Sequence, residues 1–521
     1  MRFRLRRMWL VISVVALTMG LLPAPASAHS QGWLTTQPTF ITLTVPGTAQ
    51  GIITVGESIN GFTFEGIPDG LGAINGEGNT VDVYVAHEQS TVPFPPLSGA
   101  IGPPLSDFED AAVSKITLDR DSGAFLSGEV VVPSSAGFLR FCSAFLANRG
   151  HGFPNPFFFA NEESNDVVDV PEGATYGADP SLAGQRQAGY VVAYDTITGE
   201  FKPIPGMGRL NHENTIVVPG RWDKQTVMLT TDDTFSGPSA QLYEYTARNA
   251  ASVWADTGNL WAFRVTGVNG VPIDPLDPFN GANDYLDLDP GESFQGEFIL
   301  VPADVADGTT GDAPQTALED WSNANNVFQF LRLEDLATNK SKPRVVYIAD
   351  TGRTRVIPDP ATGRLMRGPS GTVGLTDNGR IFKMVLNRDN PNLVNSLTIF
   401  ADGDSADPTV AVPFLAPDNI DTSRHSLMVQ EDTANARIWR YDLAAGTWEV
   451  VATVNDPDGE SSGIIDASLW FGPGAWLLDV QSHGVFQKME VVPNPDDPGV
   501  LPDLTKKREA GQLILMKIPG S

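Results

Sequence analysis

The sequence has a single cysteine, Cys142, and only six histidines. An odd cysteine has no internal partner, which excludes a small fold held together by disulfides. Cys142 is therefore a buried inert thiol, an intermolecular partner or a residue with a chemical role. The few histidines and the lack of a His-Glu-x-x-His motif argue against a zinc hydrolase with histidine ligands. A Walker A loop and a dinucleotide-binding glycine fingerprint are also missing.

Basic residues are scarce, with 34 Lys and Arg against 63 Asp and Glu and a net charge of -29. Such a chain should repel nucleic acid and anionic lipid, so we expect neither as a partner. The acidity suits a protein that takes up divalent cations through carboxylates, although it also serves solubility alone. Glycine (51) and proline (40) are abundant, which favours a fold rich in β-strands and turns.

Long apolar runs occur only at the N-terminus, so we expect no stable membrane insertion of the mature chain. Residues 1–28 combine four arginines, the run MWLVISVVALTMGLL and the small residues ASA. This pattern predicts a signal peptide; an uncleaved membrane anchor is the alternative. Cleavage would lower the net charge from -29 to -33 because all four arginines leave. We expect a secreted, periplasmic or extracellular protein, with the Sec and twin-arginine routes both open.

Six segments each combine a strand-like apolar run with a polar end that usually carries Asp or Glu. They are DVYVAHEQS (82–90), PFFFANEES (156–164), TVMLTTDDT (226–234), VVYIADTG (345–352), SLMVQEDT (426–433) and AWLLDVQSHG (475–484). Each is followed by an alternating segment typical of a half-buried antiparallel strand. Six such pairs predict an all-β fold, a six-bladed β-propeller formed as one domain by residues 29–521.

The geometry of a propeller would bring the acidic ends of the six segments together. If the first segment of each pair is the innermost strand, six polar clusters converge at one mouth of a central channel. Carboxylates packed together raise one another's pKa unless a cation compensates, so the pattern predicts a metal site. The alternative is a set of six solvated corners between strand and loop.

Residues 268–325 interrupt the repeat with a Pro/Gly/Asp-rich stretch and a segment of helical periodicity that follows a capping Asp. We interpret this segment as an insertion with a short helix over one face of the propeller, and as a candidate lid.

Several of these segments resemble the PhoX family of secreted bacterial alkaline phosphatases. The resemblance is carried, in order along the chain, by VAHEQS, by FCSAFLA followed by FFFANEES, by NHENTIVV followed by VMLTTDDT, by FLRLEDL, by APDNIDTSRHSLMVQEDT and by WLLDVQSHG. The resemblance implies a six-bladed propeller with an iron pair and calcium ions at one channel mouth. It also implies hydrolysis of phosphate monoesters, so that the expected partner is a small phosphate ester, and we expect a monomer.

The resemblance also implies the residues of the site. Arg332 would hold the substrate phosphate, and Cys142 would bind iron (Fe3+). The acidic ligands of iron or calcium (Ca2+) would be Glu88, Glu163, Glu213, Asp232, Glu334, Asp418 and Glu431. Adjacent residues are alternates, since the sequence does not show which member of a pair points inward; they are Glu162, Asp233, Asn419 and Asp432.

These roles agree with ordinary coordination chemistry. Calcium takes several hard oxygen ligands, thiolate suits iron far better than calcium, and arginine offers a planar fork to phosphate. Two other functions stay open. A calcium-dependent lactonase or phytase-like propeller hydrolase would not need Cys142, and a non-catalytic binding propeller would use calcium only as a brace.

Overall fold

Antiparallel strands make up most of the described protein. The computed structural model describes residues 32–88, 111–492 and 504–521, except positions 175, 221, 223, 224, 235, 236, 312, 371 and 373–375. The predicted signal peptide, residues 1–28, lies outside the described residues. Among the helices described, none combines the length and apolar character needed to cross a membrane.

The first half of the chain begins with four short strands and then forms two four-stranded sheets. The short strands are β1 (Ile41–Leu43), β2 (Thr48–Thr54), β3 (Ser58–Ile59) and β4 (Phe62–Thr63). The first sheet, in spatial order, is β5 (Pro68–Asn75), β6 (Thr80–His87), β7 (Ala112–Asp119) and β8 (Phe125–Val132). The next strands are β9 (Phe141–Ala147), β10 (Phe157–Glu162), β11 (Val167–Asp169), β12 (Gln185–Gln187), β13 (Val191–Asp195) and β14 (Phe201–Pro203). The second sheet has the order β14-β13-β10-β9, and β11 and β12 pair as a separate hairpin.

The middle of the chain forms one large sheet. Its first strands are β15 (His212–Val217), β16 (Thr226–Asp232), β17 (Leu242–Ala247), β18 (Asn259–Val268), β19 (Val271–Pro272) and β20 (Phe294–Leu300). The following strands are β21 (Leu333–Asn339), β22 (Lys342–Asp350), β23 (Val356–Pro358), β24 (Leu365–Arg367), β25 (Arg380–Leu386) and β26 (Leu393–Asp402). The order is β15-β16-β17-β18-β20-β26-β25-β22-β21, with β19 on β18 and with β23 and β24 as a separate hairpin.

Each of the last two sheets includes one strand from the N-terminal segment. Their own strands are β27 (Pro417–Thr422), β28 (Ser426–Glu431), β29 (Arg437–Asp442), β30 (Thr447–Val454), β31 (Gly459–Asp466), β32 (Ala475–Val492) and β33 (Leu504–Lys517). Strand β1 pairs with β30, and β2 pairs with β33, so the N-terminal segment ties both sheets to the start of the chain. The helices are α1 (Ala250–Trp254), α2 (Ala303–Ala306), α3 (Pro314–Ala324), α4 (Ser468–Phe471) and the 3-10 turns Ser134–Ala136, Arg149–His151, Pro205–Met207 and Tyr285–Asp287.

The sheets have a propeller-like arrangement. Strands β5, β9, β15, β21, β27 and β31 contact one another in that order, and β31 contacts β5. Apolar clusters fill the spaces between neighbouring sheets. For example, Phe158 of β10 packs with Tyr84 of β6, while Phe157 and Phe159 pack towards Met228 of β16. Because both faces of β10 are buried in this way, its sequence is a continuous apolar run rather than an alternating one.

The sequence pattern predicts that the six segments with acidic ends form the innermost strands, and this prediction is wrong. They are the second strands of their sheets, and the innermost strands precede them. The innermost strands carry small and polar residues because they approach one another around the channel. Gly70 of β5, for instance, lies so close to β9 that an added Cβ would be 2.1 Å from the Ala144 nitrogen.

The segment 268–325 is not separate from the sheets. Its strand β20 pairs with β18 and with β26 and so joins the two halves of the large sheet. Helix α3 begins at Pro314 without a side-chain cap, and the expected capping residue, Asp312, lies outside the described residues. Gln315 donates a hydrogen bond from Nε2 to Oγ1 of Thr234 (3.0 Å), just after β16 of the large sheet. A lid motion stays a prediction.

Candidate metal centre

The second residue of each innermost strand is a side chain that can bind a metal ion. In strand order these residues are Asp69, Cys142, Glu213, Glu334, Asp418 and Glu460. Since the six strands contact one another in a closed ring, equivalent positions bring these six side chains to one end of the channel.

A second series lies one strand further out. The first residue of each innermost strand pairs with a residue of the second strand, for example Pro68 with His87 and Phe141 with Glu162. The residue that follows each of these second-strand partners belongs to the second series. Those residues are Glu88, Glu163, Asp233, Thr351, Asp432 and His483.

Backbone geometry holds the second series in place. The N–H groups of Glu88, Glu163 and Asp432 donate hydrogen bonds to the carbonyls of Ile67, Arg140 and Ala416, which directly precede the innermost strands. These three preceding residues have φ values of 44°, 38° and 44°. Non-glycine residues rarely adopt such a conformation, and it usually marks a constrained functional segment.

Ten of the twelve residues in the two series, all except Asp233 and Thr351, surround a cavity of about 230 Å³. It is lined by Asp69, Glu88, Arg140, Cys142, Glu163, Glu213, Arg332, Glu334, Asp418, Asp432, Glu460, Gln481 and His483. Within it, four overlapping groups place three potential ligand atoms within 4.8 Å of one another. The groups are Asp69/Glu88/Cys142, Cys142/Glu163/Glu213, Glu213/Glu334/Asp418 and Asp418/Asp432/Glu460.

Acidic groups are concentrated in this cavity, which is lined by eight carboxyl groups and one thiol against two arginines and one histidine. Burial, followed by repulsion from neighbouring carboxylates, raises the pKa of Glu213 well above its usual range. Burial likewise raises the pKa of Glu88 to about 8, although Arg140 opposes the shift. The pKa of the Cys142 thiol is also raised, first by burial and then by Asp69. Without a cation these side chains therefore favour their protonated forms.

Glu213 is the member that most clearly needs a cation. It is buried, and neither of its carboxylate oxygens has a hydrogen-bond donor among the described residues. Buried carboxylates in proteins are normally hydrogen-bonded, paired with a cation or bound to a metal. Because Glu213 belongs to two of the four groups, the chemistry of the donor set fits a metal cluster.

Arg140, Gln481 and Cys142 contact the carboxylates at one part of the cavity. Arg140 lies 3.6 Å from both Glu88 and Glu163. The Nε2 atom of Gln481 is 3.0 Å from Oδ2 of Asp69 and 3.0 Å from Oε1 of Glu88. The Cys142 thiol donates to the same Asp69 oxygen at 3.3 Å.

Arg332 also lines the cavity. Its Nε and Nη2 atoms donate to the two Asp233 oxygens at 2.8 and 2.5 Å, and Nη2 is 3.4 Å from Glu334. A guanidinium is planar and permanently charged, so Arg332 brings a positive charge to a cavity lined mainly with acidic groups. Arg332 is in position to meet an anion that enters the cavity.

Most of the predicted site residues come together. Glu88, Cys142, Glu163, Glu213, Glu334 and Asp418 all line the cavity, together with Arg332. Whether they bind metal stays a prediction.

Two predicted ligands, Asp232 and Glu431, lie outside the cavity. Asp232 accepts a hydrogen bond from Thr234, while Glu431 is paired with Arg437 and accepts a hydrogen bond from Trp439. Successive residues of a strand point to opposite sides. In the acidic pairs at the ends of the second strands, the second member therefore faces the site and the first faces the sheet.

The same rule explains the other alternates. Asp432 lines the cavity, Asp233 holds Arg332, and Glu162 forms a fully buried ion pair with Arg186. Asn419 bonds instead to Ser462, beside the cluster. The histidines that precede two of the glutamates, His87 and His212, are buried among Ser114, Thr230 and backbone groups.

Five residues of the cavity do not stand out in the sequence: Asp69, Glu460, Arg140, Gln481 and His483. Asp69 lies in PDG, a typical turn sequence, and Glu460 lies in the small-residue stretch GESS. The repeat itself carries a signal that could have found the first two, because an Asp, Glu or Cys occurs at the second position of the strand before every acidic segment.

A scan against protein-family models finds a match to alkaline phosphatase PhoX over residues 157–459, more than half of the chain. The chain belongs to this family. The PhoX resemblance is thereby confirmed, and membership indicates a phosphatase enzyme. The family model covers three of the six innermost strands in full, β15, β21 and β27, and the first residue of β31.

Other comparisons add little. No curated protein matches the chain. Among solved structures, a GH93 α-L-arabinofuranosidase of Fusarium graminearum is 8% identical, with 86% of this chain and 92% of that chain covered and a TM-score of 0.37. A protein of unknown function from Dyadobacter fermentans is also 8% identical, with 90% and 99% covered and a TM-score of 0.42. Similarities this low carry no argument about function.

Proposed function

We propose that this protein is a phosphatase that hydrolyses phosphate monoesters at a cluster of iron and calcium ions in the acidic cavity. The observation that carries the proposal is the buried carboxylate of Glu213, which has no donor among the described residues and lies between the thiol of Cys142 and the carboxylate of Glu334. Family membership supplies the phosphatase chemistry, and the donor set supports the metals.

The donor set supports two kinds of metal. The two groups that share Cys142 combine a soft thiolate with carboxylates, which favours iron. The two groups built around Asp418 contain only carboxylates, which favours calcium. Such cations, when bound, would neutralise the substrate phosphate and stabilise the charge that develops on its oxygens in the transition state.

The chain itself contributes orientation. Arg332, fixed by Asp233, offers a guanidinium to the phosphate oxygens, and its planar fork restricts how the phosphate can sit. Arg140, 3.6 Å from both Glu88 and Glu163, would keep these two carboxylates at the wall of the cavity that they line.

We also infer a six-bladed propeller and a secreted protein. The large sheet would count as two blades, β15–β18 and β21/β22/β25/β26, joined through β20. Six innermost strands in one closed ring support this count. Five apolar clusters lie between neighbouring sheets, and a sixth lies between the two halves of the large sheet. The N-terminal pattern of residues 1–28 supports export.

The proposal is tested by assaying the mature protein, loaded with iron and calcium, on p-nitrophenyl phosphate. Bis(p-nitrophenyl) phosphate and a simple lactone serve as comparison substrates. We expect the monoester to be preferred and Glu213→Gln to abolish turnover. Equal activity of Glu213→Gln, or turnover of the lactone alone, would contradict the proposal.

A further inference from the structure

A large cavity lies at the other end of the sheets from the acidic cluster. Its volume is about 940 Å³, and its lining includes Val217 and Thr226. Val217 is the last residue of β15 and Thr226 the first of β16, whereas Glu213 stands near the start of β15. The cavity is therefore separated from the metal centre by the length of these strands.

Three arginines from separate parts of the fold line this cavity. Arg149 lies in the 3-10 turn after β9, Arg344 near the start of β22, and Arg388 just after β25. All three are exposed, and none of them has an ion pair or side-chain hydrogen bond with a described residue. Of the described acidic residues, only Asp389 lines the cavity.

This arrangement is unusual for a chain with a net charge of -29. Other arginines of this protein pair with carboxylates; examples are Arg264 with Glu297, Arg380 with Asp402 and Arg440 with Glu449. Three guanidinium groups line one concavity without a carboxylate partner among the described residues, so their charge is available to an anion that enters it. The charge of the lining residues thus indicates an anionic ligand.

We propose that this cavity, the arginine cavity, is a binding site for a small polyanion carrying several phosphate or sulfate groups. Its volume is in the range of small-molecule sites. Guanidinium groups match the oxygens of phosphate and sulfate through paired N–H donors. The amides of Gln225 and Asn249 line the same cavity and add polar contacts to its wall.

The arginine cavity adjoins the channel. His151, Pro219 and Pro343 line both the arginine cavity and a cavity of about 340 Å³ that is formed by the innermost strands. A ligand at this mouth would therefore sit at the far end of the channel from the metal centre. The inference does not rest on the proposed phosphatase activity, because it depends on residues outside that site.

Calorimetric titration of the full mature protein, loaded with metals, tests the proposal. The probe is sucrose octasulfate, which carries sulfate esters in place of phosphate esters. We expect one saturable site whose affinity falls as salt is added, because the contacts are exposed charges. The triple variant Arg149→Gln/Arg344→Gln/Arg388→Gln should weaken binding at least tenfold, and Arg344→Gln alone should weaken it measurably.

Two control variants separate binding in the arginine cavity from a general effect of charge and from binding at the metal centre. Arg424→Gln removes another exposed arginine that does not line the cavity, and it should bind the probe like the wild type. Glu213→Gln alters the metal centre and should also bind normally. Unchanged affinity in the triple variant, an equal loss in Arg424→Gln, or a loss in Glu213→Gln would overturn the proposal.

Discussion

Arg332 donates two parallel hydrogen bonds to Asp233, at 2.8 and 2.5 Å. This contact joins the start of the innermost strand β21 to the end of β16, in the other half of the large sheet. Asp233 is buried, whereas the Arg332 side chain is one-quarter exposed. The aspartate is thus the fixed partner, and it determines where the guanidinium points into the cavity.

Asp233→Asn should therefore lower kcat/KM for a phosphate monoester by roughly tenfold or more, since a charged hydrogen bond contributes about 1.5–3 kcal/mol. Metal content should not change. The matched control is Asp232→Asn, one residue earlier, whose side chain bonds to Thr234 rather than Arg332. If both variants lose activity equally, Asp233 does not position Arg332.

Cys142→Ser should remove iron but leave calcium. Cys142 is the one thiol in a cavity otherwise lined with carboxylates, and a serine hydroxyl is a poor substitute for thiolate towards iron. Elemental analysis of the purified variant, with Ser143→Ala as the neighbouring control, measures both metals. Retained iron in Cys142→Ser would refute the assignment of this residue.

The acidic pairs should separate into a structural and a functional member. Glu163→Gln should change metal content while the protein stays folded. Glu162→Gln should instead destabilise the fold by roughly 3–5 kcal/mol, because it breaks a buried pair with Arg186. Denaturant unfolding and elemental analysis of both variants give the two readouts. A loss of metal from folded Glu162→Gln, with Glu163→Gln unaffected, would reverse the assignment.

The metal-free protein should lose stability as the pH rises. Burial raises the pKa of Glu88 from 4.5 to about 8, and it raises the pKa of Glu213 in the same direction. A carboxyl with a raised folded-state pKa stabilises the fold fully below its unfolded pKa, and that contribution disappears as the pH rises through the folded-state value.

The melting temperature of chelated protein should therefore fall between about pH 5 and pH 8. Iron and calcium should restore more stability at pH 8 than at pH 5, because they replace the lost protons. A melting temperature that rises with pH in the chelated protein would show that folding does not raise the pKa values of the cavity carboxyls.

The acidic segments could be recognised from the sequence, but their position as the second strands of the sheets could not. FFFANEES is a continuous apolar run, and such a run has no period that tells an innermost strand from one buried between sheets. The choice between Glu162 and Glu163 depends on Arg186, which reaches Glu162 from a separate hairpin. Asp69 was missed because PDG looks like a turn, whereas here it opens a strand whose start is a bulge beside β6.

The family resemblance supplied what the residue patterns alone did not. It selected Cys142 and Arg332, and both line the cavity. It also carried over Asp232 and Glu431, which face away from it. The direction in which a side chain points depends on register, and the register of each strand pair is fixed by contacts distant in the chain.

The most direct test of the metal cluster is the metal content of the mature protein, secreted by a host supplied with iron and calcium and analysed by elemental mass spectrometry beside Glu213→Gln. We predict iron together with several calcium ions in the wild type and a clear loss in the variant. A wild-type protein that binds no metal, or the same metal content in Glu213→Gln, would contradict the cluster.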